Sequence, residues 1–369
     1  MSKTSKIIVG ILVILAIVFI GYRWHQTHTS VPTGTFKIGS FLPLSGDLAS
    51  LGSEVNRGAL IAVDELKAQG RDIQYVSEDD QFKATGSIQA ASKLVTIDKM
   101  DAVFTSTVQE MKPVYPVFNS SKVPLLVTWD SNEFIKSAGD HVFSIGFSTE
   151  WAGELMATHA YQKLGLRQVA IIHHIDEWSY LISSAFQNKF TELGGTIVMR
   201  EKTEPTVRDY RTLLIKAKNL NADGIYFPLL PPIKGVFVKQ AKQLGIQATL
   251  MAADGYLQDE IHEGGAASEG VYFTNIYANQ KDTLTKKYQA RFHSAPTDAV
   301  FVSFGYDGVM MLEAANTLAK NKNVSLRDAM TLVDIQGTGS PIKMNGSQYS
   351  ERLEKIYKIT KETPVEIKQ

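Results

Sequence analysis

The side chains that could do chemistry are few. His173 and His174 end an apolar run beside Asp176 and Glu177, a set that could supply a general base or part of a metal site. Successive residues on a strand face opposite ways, so the two imidazoles do not converge on one centre. His25 and His28 are spaced to share a helical face, but they sit in a stretch rich in Thr and Ser with no periodicity. The chain contains no G-x-S-x-G, no G-x-x-x-x-G-K, no G-x-G-x-x-G after a strand and no H-E-x-x-H. Serine-nucleophile, phosphate-cradling, dinucleotide and zinc-protease chemistry therefore have no sequence support. The absence of cysteine removes disulfides, thiolate metal sites, a thiol nucleophile and lipid attachment through an N-terminal cysteine. The expectation is a chain that is not an enzyme, with no catalytic residue, metal site or cofactor.

Binding is what remains, and the elements are arranged for it. A strand from Phe36 through Ile38 to Phe41 runs into the turn Leu44-Ser45-Gly46-Asp47, and a helix follows from about Ser53. Val55, Ala59, Ala62, Val63 and Leu66 give that helix one apolar face, and Gly70 stops it. This βα unit places a loop of small residues at the carboxyl end of a strand, where open sheets bind ligands. The alternation continues through strands at 72–77, 102–105, 123–128 and 142–145, with Pro113 and Pro116 interrupting the helix between 109 and 119. A second series follows, with strands at 168–174, 196–199, 224–228, 248–253 and 270–274. Strands alternating with helices mean two largely parallel, doubly wound sheets and two similar lobes. The remainder is mostly helical, including a long run from Val300 to Lys320, before closing strands at 342–344 and 355–359.

Composition sets further bounds. The 369 residues suffice for two cores, and 38 basic against 38 acidic residues leave no net charge, so no basic field invites nucleic acid. Lys3 and Lys6 precede sixteen uncharged residues, Ile7 to Tyr22, and Arg23 and Trp24 follow. The flanking residues lack a good cleavage site, so residues 1–24 read as an uncleaved membrane anchor rather than a signal peptide, with the N-terminus cytoplasmic and everything beyond outside. Residues 25–35 read as a linker.

In its order of pieces the chain resembles the type I periplasmic binding proteins, specifically the leucine or branched-chain amino-acid-binding receptors of ABC transporters. The pieces are Ile38 to Gly70, Val123 to Ser131, Ile171 to Phe186, Asp223-Gly-Ile-Tyr-Phe, Lys239 to Gly245, Ala253-Asp-Gly255, Ala267 to Thr274 and Tyr306-Asp-Gly. The resemblance implies an α/β fold of two Rossmann-like lobes joined by a three-segment hinge, with crossings near 146–150, 275–280 and 335–340. It assigns residues 36–147 and 278–337 to lobe 1, and 148–277 and 338–369 to lobe 2.

The resemblance also implies a site. In the family a ligand carboxylate rests on lobe 1 against backbone N–H groups and Ser or Thr hydroxyls; Thr105, Ser106 and Thr107, with Trp129, Asp130 and Ser131, match that place. The competing assignment for these hydroxyls is helix capping. On lobe 2, Asp254 stands where the family meets the ligand ammonium, and Trp178 where an aromatic covers it. Leu51 and Leu230 replace tyrosines common in leucine-binding receptors. Asp130 would repel a carboxylate unless it turns outward, which leaves both an amino acid and an amide or amine as ligand classes. The implied function is an extracytoplasmic solute-binding receptor that delivers a small polar ligand to an ABC permease. The alternatives are a tethered sensor subunit and, from another class, an anchored α/β enzyme.

Overall fold

The computed structural model describes residues 34–275, 281–350, 352 and 354–368. The anchor expected before residue 24 and the crossing expected near 275–280 lie at least in part outside the described residues. Among the described residues no helix is long and apolar enough to cross a membrane.

Two sheets carry the fold. The first is built from β1 (Phe36–Leu42), β2 (Ile73–Asp79), β3 (Ala102–Thr105), β4 (Leu125–Val127) and β6 (Val142–Ser144) in the order β2-β1-β3-β4-β6, all parallel. Its central strands are buried on both faces, as a sheet covered by helices on two sides requires. The second sheet contains β8 (Gln168–His174), β9 (Thr196–Thr203), β10 (Gly224–Phe227), β11 (Thr249–Ala252) and β12 (Tyr272–Asn275) in parallel. β15 (Lys355–Thr360) and β16 (Thr363–Glu366) extend it antiparallel, beyond the five strands expected. Between the sheets, β5 (Asp130–Ser131) pairs with β7 (Phe147–Ser148).

The first helix runs Ala49–Ala68, beginning four residues before the expected start at Ser53, and buries the expected Val55, Ala59, Ala62, Val63 and Leu66. Its partner is the long helix Ala299–Lys322. The two backbones meet at glycines. A Cβ on Gly58 would stand 1.9 Å from the Val302 carbonyl oxygen, and one on Gly305 would stand 1.8 Å from that of Val55. Only hydrogen fits at either place, and this approach draws a late segment onto the first sheet. The expected helix over 109–119 is two short helices, Val108–Met111 and Tyr115–Ser121, the second carrying proline in its first turn.

The closing segment departs from expectation. Ile342 and Met344 belong to the core beneath the first sheet, and β14 (Pro341–Lys343) pairs with β13 (Asp334–Gln336) rather than joining the second sheet. The crossing expected near 335–340 therefore falls between β14 and β15. There the chain runs beside the first crossing, bridging Ser144 to Tyr349 and Phe147 to Arg352. Arg352 explains the delay. Its guanidinium is fully buried, pairs with Asp307 of the long helix at 2.9 Å, and donates to the Ile145 carbonyl and the Ser340 hydroxyl. Asp307 also accepts from the Thr338 N–H at 2.9 Å and the Thr338 hydroxyl at 3.1 Å. This network cannot form until the chain has passed residue 340.

Two outcomes follow. Gly305→Ala separates the helices and lowers stability by about 1–3 kcal/mol, read as a shifted urea midpoint; an unchanged midpoint would show that the helices part freely. Arg352→Ala strands Asp307 and costs about 3–5 kcal/mol, whereas Asp307→Leu with Arg352→Met recovers most of that loss. A double variant as unstable as the single one would contradict this account.

Candidate functional site

The carboxyl ends of both sheets face a cleft of about 950 Å³, counting space open to solvent. The first sheet contributes Leu48 and Leu51, Phe82, Thr107 and Val108, and Trp129, Asp130 and Asn132. The second contributes Asp176, Glu177 and Trp178, Leu230 and Pro231, Asp254 and Gly255, and Asn275. Asp298, Val300, Phe301 and Phe304 enter from the start of the long helix.

Of the residues expected at the site, Leu51, Thr107, Trp129, Asp130, Trp178, Leu230 and Asp254 line this cleft, and Thr105, Ser106 and Ser131 do not. The Thr105 hydroxyl donates to the Phe41 carbonyl at 3.0 Å, so it ties β3 to β1 inside the sheet. Ser106 is fully buried; its carbonyl accepts from the Trp129 N–H at 2.8 Å and its hydroxyl has no protein partner. Ser131 is buried where β5 pairs with β7. Thr107 both caps a helix and borders the cleft. It caps Val108–Met111 in a capping box, its oxygen accepting from the Glu110 N–H while Glu110 accepts from the Thr107 N–H at 2.8 Å, and it still borders the cleft.

Asp130 does not turn outward. Its Oδ1 accepts the Val108 N–H at 2.8 Å, occupying the donor at the loop-to-helix junction that a ligand carboxylate would otherwise use. Burial raises its pKa to about 7, with the Val108 N–H opposing and the charges of Glu177 and Glu150 adding. Asp254, 8% exposed, keeps Oδ1 without a hydrogen-bond partner. Burial raises it also to about 7; Lys234 opposes the shift and the charge of Asp130 adds to it. Lys234 gives Asp254 no direct contact. It is fully buried, donates to the Gly255 carbonyl at 2.9 Å and stands 3.6 Å from Glu260. Near Asp254 lies Glu354, whose pKa is pushed well up by burial and then by the charge of Asp254, with the Thr274 hydroxyl opposing.

The other acids at the rim are engaged. Asp176 caps the helix Glu177–Glu192, accepting from Ser179, and Asp298 caps the long helix through the Val300 N–H at 2.8 Å. Glu177 forms an ion pair with Lys112 across the mouth of the cleft, and the Lys112 ammonium lies 4.7 Å from the Phe134 ring centre.

Sequence reasoning missed most of the apolar wall. Trp129 packs edge-on against Phe301 at 4.7 Å between ring centres and near Phe304 at 6.1 Å, and Phe304 reaches Phe147 at 5.8 Å. Phe301 and Phe304 sit three apart on a helix, a spacing that signals an apolar face without saying whether it meets core or cleft. His173 and His174 have structural work. The Leu230 N–H donates to His174 Nδ1 at 3.0 Å, which leaves Nε2 to donate to the Tyr210 hydroxyl at 3.0 Å. His174 thereby fixes the backbone of a cleft residue, and burial lowers its pKa to about 4, so it stays neutral. His173 instead faces its neighbour's carbonyl and Arg200. Among the described residues no group of three or more His, Asp or Glu is arranged for a metal ion.

The shift at Asp130 has a signed consequence. The folded carboxyl keeps its proton up to about pH 7, whereas the unfolded one loses it near about 3.9. Folded protein binds more protons in that window, so stability falls as pH rises through it. Asp130→Asn keeps an acceptor for Val108 and removes this slope. The ligand-free variant melts several degrees higher than wild type at pH 8 and about equally at pH 4; parallel melting curves across that range would contradict the assignment.

Comparison with known proteins places this geometry. The family model described as periplasmic binding protein matches residues 35–352. A Leu/Ile/Val-binding protein homolog of Brucella melitensis is 25% identical over 314 residues, covering 83% of this chain and 84% of that protein. The crystal structure of a leucine-binding protein from Thermotoga maritima superposes with a TM-score of 0.80 at 24% identity, covering 90% of this chain and 98% of the other. A Rhodopseudomonas palustris solute-binding protein in complex with benzoate superposes with a TM-score of 0.78 at 19% identity, covering 90% and 96%. With two α/β lobes facing one cleft and a family match over most of its length, the chain belongs to the periplasmic binding proteins of type I fold, and is a solute-binding receptor rather than an enzyme.

Proposed function

We propose that this receptor works outside the cytoplasmic membrane, closing its two lobes on a small polar ligand of the size of an amino acid or amide and presenting it to an ABC permease. The observation that carries this reading is the composition of the cleft wall, shared between the two sheets and bridged at its mouth by Lys112 and Glu177. A ligand touching both walls favours the closed arrangement by its differential affinity for it. The apolar residues 7–22 would tether the receptor to the membrane, which suits delivery to a permease and equally suits a sensor subunit.

Within this reading Trp129, Asp130, Trp178 and Asp254 contact the ligand, while Leu51, Leu230 and Thr107 shape its enclosure. A ligand that binds only the folded state raises the melting temperature in proportion to the logarithm of its excess over Kd. A panel of amino acids, amides, amines and aromatic acids is expected to give at least one such shift, abolished by Asp254→Ala. A shift that survives Asp254→Ala would place the ligand elsewhere, and no shift from any compound would count against a small-solute receptor.

A further inference from the structure

From the same cleft, and resting on its reading as a solute site, we propose that the ligand is an organic cation, a primary amine or amidine on an apolar body, without a free carboxylate.

Three observations carry this. The first is the use already made of the anion-binding position. The Val108 N–H at the head of the lobe 1 junction donates to Asp130, so a ligand carboxylate would have to displace the Asp130 carboxyl from that donor and then lie beside an acid that cannot ionise next to it. The second is an unmet need on the opposite wall. Asp254 is more than nine-tenths buried, lines the cleft, and, although Trp178 interacts with its carboxylate, keeps Oδ1 without a hydrogen-bond partner among the described residues. A buried acceptor left unpaired costs free energy that a ligand donor can recover. The third is the sign of everything nearby. Asp130, Asp176, Glu177, Asp254 and Asp298 border the cleft, and no Lys, Arg or His does so among the described lining residues. Two ammonium groups that contact cleft residues are already paired: Lys112 with Glu177, and Lys234 with Glu260 and the Gly255 carbonyl.

A zwitterionic amino acid gains on Asp254 what it loses on Asp130. A cation gains at both and keeps its ammonium or amidinium hydrogens satisfied. Its apolar body meets Trp129, Trp178, Phe301 and Phe304, whose faces add attraction for a cation as well as contact area. A neutral amide could donate to Asp254 but leaves the negative potential unused.

The test pairs compounds that differ only by the carboxylate: isoamylamine against leucine, and phenethylamine against phenylalanine. Isovaleramide and benzoate serve as the neutral and anionic arms, all titrated calorimetrically into the full chain in detergent. An amine is expected to bind at least about tenfold tighter than its amino acid, a difference of about 1.4 kcal/mol. Asp254→Asn should lose that binding, and Asp130→Asn should shrink the ratio of amine to amino-acid affinity. Leucine, benzoate or isovaleramide binding more tightly than the amines would leave the receptor reading intact and overturn the cation. No binding by any arm, from protein that melts cooperatively, would overturn both. The wild-type comparison stands even where a variant fails to fold.

Discussion

The buried contact between Arg352 and Asp307 settles how the two sheets are joined. A guanidinium taken out of water must have its donors met, and here the acceptors come from the long helix, from the loop at Ser340 and from the first crossing at Ile145. The contact therefore forms only when late chain, long helix and first crossing are all in place. Downstream consequences are immediate: Glu354 follows two residues later and β15 begins at Lys355, so the position of Arg352 sets which side chains stand behind Asp254. The glycine contact between the two long helices acts at the other end of the same segment, bringing Phe301 and Phe304 to the cleft.

Charge is the second theme. The buried cations of the molecule are balanced locally, Arg352 by Asp307 and Lys234 by Glu260. Asp130, Asp254 and Glu354 have no ion pair among the described residues, and burial is the largest cause that raises all three, opposed at Asp254 by the charge of Lys234. Such groups either hold protons or wait for a partner. Asp130 and Asp254 line a cleft walled by aromatic rings, where an incoming group could reach them, and Glu354 stands close enough for the charge of Asp254 to raise it without bordering that cleft. The same fold in relatives carries names for leucine, isoleucine and valine binding and, in a more distant structure, a bound benzoate.

Much of the fold was legible because it rests on local periodicity. The face from Val55 to Leu66, the alternation of strand and helix, and the run that became Ala299–Lys322 all declare themselves within one or two turns of chain. Asp254 and Trp178 were singled out by the family resemblance rather than by local pattern, and both border the cleft. What could not be read depends on contacts between distant segments. Thr105 looked like a ligand residue because it shares a loop start with Ser106 and Thr107, yet β1 lies close enough for its hydroxyl to be consumed by Phe41. Asp130 posed the right question, but its answer required knowing that the Val108 N–H would face it. The segment at Ile342, grouped with residues 338–369, pairs with β13 and packs in the core of the first sheet, because nothing local distinguishes an apolar strand that pairs with one sheet from one that packs under another.

The central claim is that the cleft holds buried carboxylates that ionise when a cation arrives. Counting protons on binding tests it most directly, by titrating phenethylamine at pH 7 in two buffers of different ionisation enthalpy. Because the amine is already charged, ionisation of Asp130 and Asp254 must release protons to the buffer. The account predicts net release, reduced in Asp130→Asn. Binding with no release, or with uptake, would contradict it.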